Sequence, residues 1–183
     1  MATQLASVEG VFGLTIGRLA EALGVSKSGL YAHFGSKEQL QLEAIEAAKA
    51  VFEEEVMRQA FEAPPGLPQL DAILDGFFSY VERDVFPGGC FFAGLLAEVD
   101  ARSGRVHDVA VAWERESLEG LAAPLVEAKR TGQVAPDIDV KQVAFELYAS
   151  MELANYHFVL FRDPAVLERG RRATRGIVDR ARI

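Results

Sequence analysis

The chain has 183 residues, half of them hydrophobic, with a single cysteine and a formal net charge of −8. That length holds one full core plus a small satellite domain, and the hydrophobic content argues against disorder. Cys90 alone makes no internal disulfide, no apolar run reaches the ~18 residues of a membrane span, and no basic-then-apolar leader opens the chain, so a cytoplasmic protein is expected.

In chain order, residues 1–9 support at most a short helix with Leu5 and Val8 inward. From Leu14 to Leu40 the sequence predicts two short helices, a tight turn between them and a capped third helix. Thr15 caps the first, whose apolar face is Ile16, Leu19, Ala20 and Leu23. Gly24 ends it, because glycine reaches the left-handed conformation without steric cost. Ser26 starts the second, which buries Leu30 and Phe34 and leaves Lys27, Ser28, Tyr31 and His33 outward. This is the layout of a helix-turn-helix, whose second helix enters the major groove of DNA.

Ser36 and Gln39 read as a capping box opening a long helix to about Phe61, with Leu40, Ala44, Ala48, Phe52 and Val56 recurring every four residues. Pro64-Pro65 stops it. Leu70, Ile73, Leu74, Phe77, Phe78 and Val81 mark the next helix, with Asp71, Asp75 and Glu82 opposite. After Pro87-Gly88-Gly89, a short buried helix carries Phe92, Leu95, Leu96 and Val99. A helix from about Val106 to Lys129 contains Pro124, so a kink or break is expected there. Asp139 caps a helix with Val143, Leu147, Met151, Ala154 and Phe158 on one face. Asp163-Pro164 opens the last helix. No alternating strand pattern appears, so the expected fold class is all-α.

Leu19-Ala20, Gly24-Val25-Ser26-Lys27, Leu30-Tyr31, His33-Phe34 and Ser36-Lys37-Glu38 together resemble the signature of the TetR/AcrR family of bacterial transcriptional regulators. The resemblance covers about the first quarter of the chain. It implies an all-α homodimer with a helix-turn-helix domain at 1–40 and a larger effector-binding and dimerisation domain at 41–183. It also implies a longer first helix behind a basic tail. Here the chain begins part-way through that helix, which bears on head stability and DNA affinity.

The expected DNA-contacting residues are Thr15, Arg18, Ser26, Lys27, Ser28, Gly29, Tyr31, His33 and Lys37. Lys27 suits a phosphate or a guanine edge, and Ser28 and Gly29 face the groove. Tyr31 and His33 match the family's phosphate-contacting positions. Thr15 and Lys37, at helix N-termini, suit the flanking phosphates. Arg18, Lys27 and Lys37 against Glu21 leave a net +2 between residues 15 and 37, a local positive patch on an acidic body.

Phe78, Phe92, Trp113, Tyr148 and Asn155 are candidates for lining an effector pocket, with Glu152 and His157 near; core packing is the competing reading for each. The effector class they suit is small and apolar or amphipathic. Cys90 is a further candidate lining residue, with a redox sensor and a small buried hydrophobe as the alternatives. Ala154, Gly170, Ala173 and Thr174 are small residues at helical spacing, expected to let the last two helices meet those of a second copy. Seven arginines from Arg162 to Arg182 against Asp163, Glu168 and Asp179 leave a net +4 there, read as a solvated or ion-paired face.

The histidines His33, His107 and His157 lack metal-ligand spacing, so neither metal nor cofactor is expected. There is no phosphate-cradling loop or nucleophile elbow, and Glu98 and Asp100 would not share a helix face, so no enzyme is expected. The favoured function is a ligand-responsive repressor of transcription that binds operator DNA as a homodimer. The alternative is a helical small-molecule-binding protein that has lost operator binding.

Overall fold

The computed structural model describes residues 1–182. These form α1 (Ala2–Glu9), α2 (Ile16–Leu23), α3 (Lys27–Phe34), α4 (Lys37–Phe52), a π-helical turn (Glu53–Met57), α5 (Arg58–Glu62), α6 (Leu67–Glu82), α7 (Phe91–Val99), α8 (Arg105–Arg130), α9 (Val140–Phe161) and α10 (Pro164–Ala181). Extended pairing among the described residues is limited to an isolated bridge between Val134 and Arg182. The chain divides into two compact units: residues 1–51 with 86–113, and residues 52–85 with 114 onward.

In the first unit, α2 and α3 are eight residues each, too short to persist alone. Side-chain caps hold their starts: Thr15 Oγ1 accepts from Arg18 N at 3.1 Å and Ser26 Oγ from Gly29 N at 3.3 Å. Gly24 takes the left-handed conformation at φ 65° and ends α2. Leu14, Leu19, Ala20, Leu40, Ile45 and Ala48 form the core beneath. The surroundings of α3 differ from expectation. Leu30 and Phe34 are only half-buried and Leu23 is 43 % exposed, because α3 packs chiefly on α2 and projects from the unit. On α1, Ala6 is buried while Val8 is exposed. At α4, Ser36 Oγ accepts from Gln39 N, but the Gln39 side chain donates onward to Glu43, so only half of the capping box forms.

The helix expected to run unbroken from Ser36 to about Phe61 is interrupted by the π turn. The four-residue spacing explains it. Positions four apart drift by about 40° around an α-helix, so Leu40, Ala44, Ala48, Phe52, Val56 and Ala60 would spiral off a common face. An extra residue turns the face back. Val56 and Ala60 are buried as a result.

In the second unit, Leu70, Ile73, Leu74, Phe77, Phe78 and Val81 of α6 are all buried, as expected. Pro124 does not break α8, which runs through it. Pro124 removes the bond to the Gly120 carbonyl, and the remaining bonds of this 26-residue helix carry it across that gap.

The small residues of the last helices also act differently from expectation. Ala154, Gly170 and Thr174 are buried within the chain, where α10 packs on α9, its most extensive partner. A Cβ at Gly170 would lie 2.6 Å from Ala154 Cβ and 2.7 Å from Phe78 Cε1. These residues set an intramolecular approach, and of the four only Ala173 is exposed. Gly170→Ala should therefore destabilise the protein by about 1–3 kcal/mol through overpacking, although alanine is intrinsically the better helix former by about 1 kcal/mol. Gly176→Ala on the same helix, with only Arg180 Nη1 at 3.9 Å, should stabilise it. Urea unfolding of the two variants measures the opposite signs.

Candidate nucleic-acid interface

The placement of the side chains expected to bear on DNA follows from how α2 and α3 are capped. Both caps put their helix N-termini, with free backbone N–H groups, at the surface of the first unit. On α3 no residue is fully buried. Lys27, Ser28, Gly29, Tyr31 and His33 are all exposed, Tyr31 by 61 %. Ser28 Oγ donates to Ser26 Oγ at 3.3 Å, and the His33 ring packs edge-on against Phe34 with centroids 4.6 Å apart.

The Lys27 side chain folds across to α2. A Cβ on Gly17 would stand 3.2 Å from Lys27 Cε and 3.3 Å from its Nζ. The ammonium therefore sits over Gly17 in the first turn of α2. Gly17 lies outside the residues expected to bear on DNA. Its signal is a glycine inside a short helix, where it costs about 1 kcal/mol relative to alanine unless a close approach needs it.

Two expected cations are engaged inside the unit. Arg18 forks onto Glu9 of α1, with Nε 2.9 Å from both carboxylate oxygens and Nη2 2.6 Å from Oε1. That bond keeps the Glu9 carboxyl below the usual carboxylate range and raises the guanidinium. Lys37 donates from Nζ to the Phe12 carbonyl at 2.6 Å. Lys27 is thus the cation that α3 itself presents.

Residues 1–44 match the family described as "Bacterial regulatory proteins, tetR family", and residues 66–174 match "Tetracyclin repressor-like, C-terminal domain". The chain belongs to the TetR family of transcriptional regulators. It therefore has the family's helix-turn-helix DNA-binding domain followed by a helical C-terminal domain.

No curated protein matches this TetR-family chain. Among solved structures, it is similar to a TetR transcriptional regulator from Chloroflexus aurantiacus J-10-FL at 27 % identity and a TM-score of 0.90, covering 100 % of this chain and 92 % of that one. SCO4454 of Streptomyces coelicolor, a TetR-family regulator, aligns at 22 % identity and a TM-score of 0.82, over 98 % and 85 % of the two chains. AibR, crystallised with isovaleryl coenzyme A and operator DNA, aligns at 20 % identity and a TM-score of 0.70, over 93 % and 91 %.

The expected effector residues fall in both units. In the first, Phe92 and Trp113 are buried and stacked, with ring centroids 3.6 Å apart and Lys49 Nζ 5.7 Å from the indole. In the second, Phe78 packs against Phe77 and beneath the Arg171 guanidinium. Asn155 is buried, and half-buried Tyr148 donates its hydroxyl to Glu114 Oε2 at 2.6 Å. Among the described residues no helix is long and apolar enough to cross a membrane.

Glu152, one turn beyond Tyr148 on α9, has its carboxyl pushed up to about 7, first by burial and then by the charge of Glu114. Its ordinary value is 4.5. The folded chain thus holds this proton more tightly than the unfolded one. Stability contributed by the proton is full below about pH 4.5, declines as the unfolded chain ionises first, and is gone above about pH 7. Glu152→Gln should flatten the fall in stability between pH 5 and 8, by on the order of 2 kcal/mol, in thermal unfolding followed across that range.

Proposed function

We propose that this TetR-family chain is an effector-responsive regulator that binds operator DNA as a homodimer and represses transcription until a small molecule releases it. The observation that carries the DNA reading is α3: capped, projecting and lined by exposed Lys27, Ser28, Gly29, Tyr31 and His33. An α-helix fits the major groove, where Ser28 and Gly29 approach base edges and Tyr31, His33 and Lys27 reach phosphates. Thr15 and the α2 N-terminus hold a flanking phosphate. Arg18 and Lys37 support the interface from within by fixing α1 and the Phe12 turn.

Effector response rests on two supports. AibR, which shares the fold, was crystallised with both an acyl coenzyme A and operator DNA. In this chain α8 and α9 carry a polar centre of Glu114, Tyr148 and Glu152 beside buried Asn155. Polar groups among apolar helices suit a ligand that is mostly apolar with a polar end. Such a ligand releases DNA only by binding one arrangement of the protein better than the other.

The dimer reading rests on α9. Phe145, Leu153, Tyr156 and Leu160 are each more than half exposed, and their spacing sets them along one stripe of the helix. A contiguous apolar stripe of that size marks a protein interface. A second copy suits it, because two recognition helices occupy half-sites about one helical turn apart.

Binding to a duplex selected by the wild-type chain from a random pool tests the DNA reading. Lys27→Ala and Tyr31→Ala should each weaken it by about 1–3 kcal/mol, with Lys27→Ala lowering the salt slope by about one. Unchanged affinity in both variants removes the assignment. A wild-type chain that selects no duplex favours a helical small-molecule-binding protein that has lost operator binding over the regulator.

Leu153→Glu and Tyr156→Asp should convert a micromolar dimer to monomers in sedimentation while leaving helicity unchanged. A wild-type monomer, or a dimer indifferent to both changes, rejects the α9 interface.

A further inference from the structure

The turn between α1 and α2 is held by side chains remote in sequence. Glu98 of α7 accepts the Val11 amide at 2.7 Å on Oε1 and the Phe12 amide at 2.9 Å on Oε2. From α4, Gln41 Nε2 donates to the Val11 carbonyl at 2.8 Å, and Lys37 Nζ donates to the Phe12 carbonyl. Arg102, just after α7, lays its guanidinium 4.2 Å from the Phe12 ring centroid, while its Nε donates to the Glu98 carbonyl at 2.8 Å. Val11 and Phe12 are therefore each gripped on both sides, their N–H groups from α7 and their carbonyls from α4.

The fit is close. Gly10 sits at φ +81°, and a Cβ there would stand 2.8 Å from the Glu98 carboxylate, so both the backbone and the space require glycine. At the other end of α7, the preceding loop lies against the backbone of α1 where Gly88 meets the Ser7 carbonyl. Three residues after Phe12 comes Thr15, the cap of α2. Whatever fixes Val11 and Phe12 fixes where α2 starts, and hence where α3 points.

We propose that Glu98 is a positioning residue for DNA binding: its carboxylate registers the helix-turn-helix against α7, and the DNA-competent head is the one in which this grip is closed. The inference rests on the DNA-binding reading above. It goes beyond that reading by assigning control of the recognition helix to a residue that touches neither α3 nor any DNA-contacting side chain.

Charge alone makes the opposite forecast. Removing an acid from a unit that binds a polyanion should strengthen binding. Loss of the grip should weaken it. The test compares Glu98→Ala, Glu98→Gln and the charge control Glu46→Gln, an exposed α4 residue outside the grip. The probe is the duplex selected by the wild-type chain.

Glu98→Ala should lose roughly ten- to a hundredfold in affinity, the scale of one charge-assisted hydrogen bond. Its salt slope should match wild type, since no phosphate contact is removed. Glu98→Gln, which keeps the length and one acceptor oxygen, should fall between the two, and Glu46→Gln should bind no more weakly than wild type. Amide exchange at Val11 and Phe12 should accelerate in Glu98→Ala while the helicity and sedimentation of the dimer hold. Equal or tighter binding by both Glu98 variants overturns the proposal, as does unchanged protection of the two amides. If the wild-type chain selects no duplex, the DNA-binding reading fails and the proposal fails with it; a selected duplex that Glu98→Ala binds as tightly as wild type removes the proposal alone.

Discussion

An eight-residue α-helix leaves as many backbone polar groups unsatisfied at its ends as it satisfies inside. The first unit contains three such helices, and its structure follows from where those ends find partners. Thr15 and Ser26 take first-turn amides, and Gly24 returns its own N–H to Ala20 and Glu21. Between α1 and α2 no local side chain is available, and the carboxylate of Glu98 takes the two amides instead. A helix-turn-helix of this size gains its definition from these end contacts as much as from its few buried apolar residues.

The local part of this arrangement was legible in the sequence. Thr15, Gly24, Ser26, Asp139 and Asp163 cap as their residue types dictate, because capping is decided within three residues. The α6 stripe was equally plain, since period and burial agree along all its turns. The remote part was not. Glu98 lies 87 positions from Val11, and nothing in its neighbourhood distinguishes a carboxylate that grips a turn from one facing water. The same holds for Gly170: small residues at helical spacing signal close approach, but not whether the approaching helix belongs to the same chain. The π turn was present as a four-residue spacing that an α-helix cannot keep on one face, a signal of period rather than residue type.

Of the residues proposed to contact DNA, exposure at Lys27, Ser28, Gly29, Tyr31 and His33 followed from helical phase alone. What phase cannot supply is whether a cation is already paired. Arg18 and Lys37 look as available in the sequence as Lys27, yet one is forked onto Glu9 and the other bound to a carbonyl. An acidic chain binding an acidic polymer has few cations to present, and this one holds two of the three within its own fold.

The π turn places the Val56 carbonyl against α6 where Gly76 stands, so closely that a Cβ would come within 2.6 Å of it. The extra residue in one helix and the missing side chain in the other are two halves of one contact. Sequence drift cannot alter them separately: a lineage that deleted a residue from the turn would withdraw the carbonyl and free position 76 to vary, and one that kept the turn would be held to glycine there.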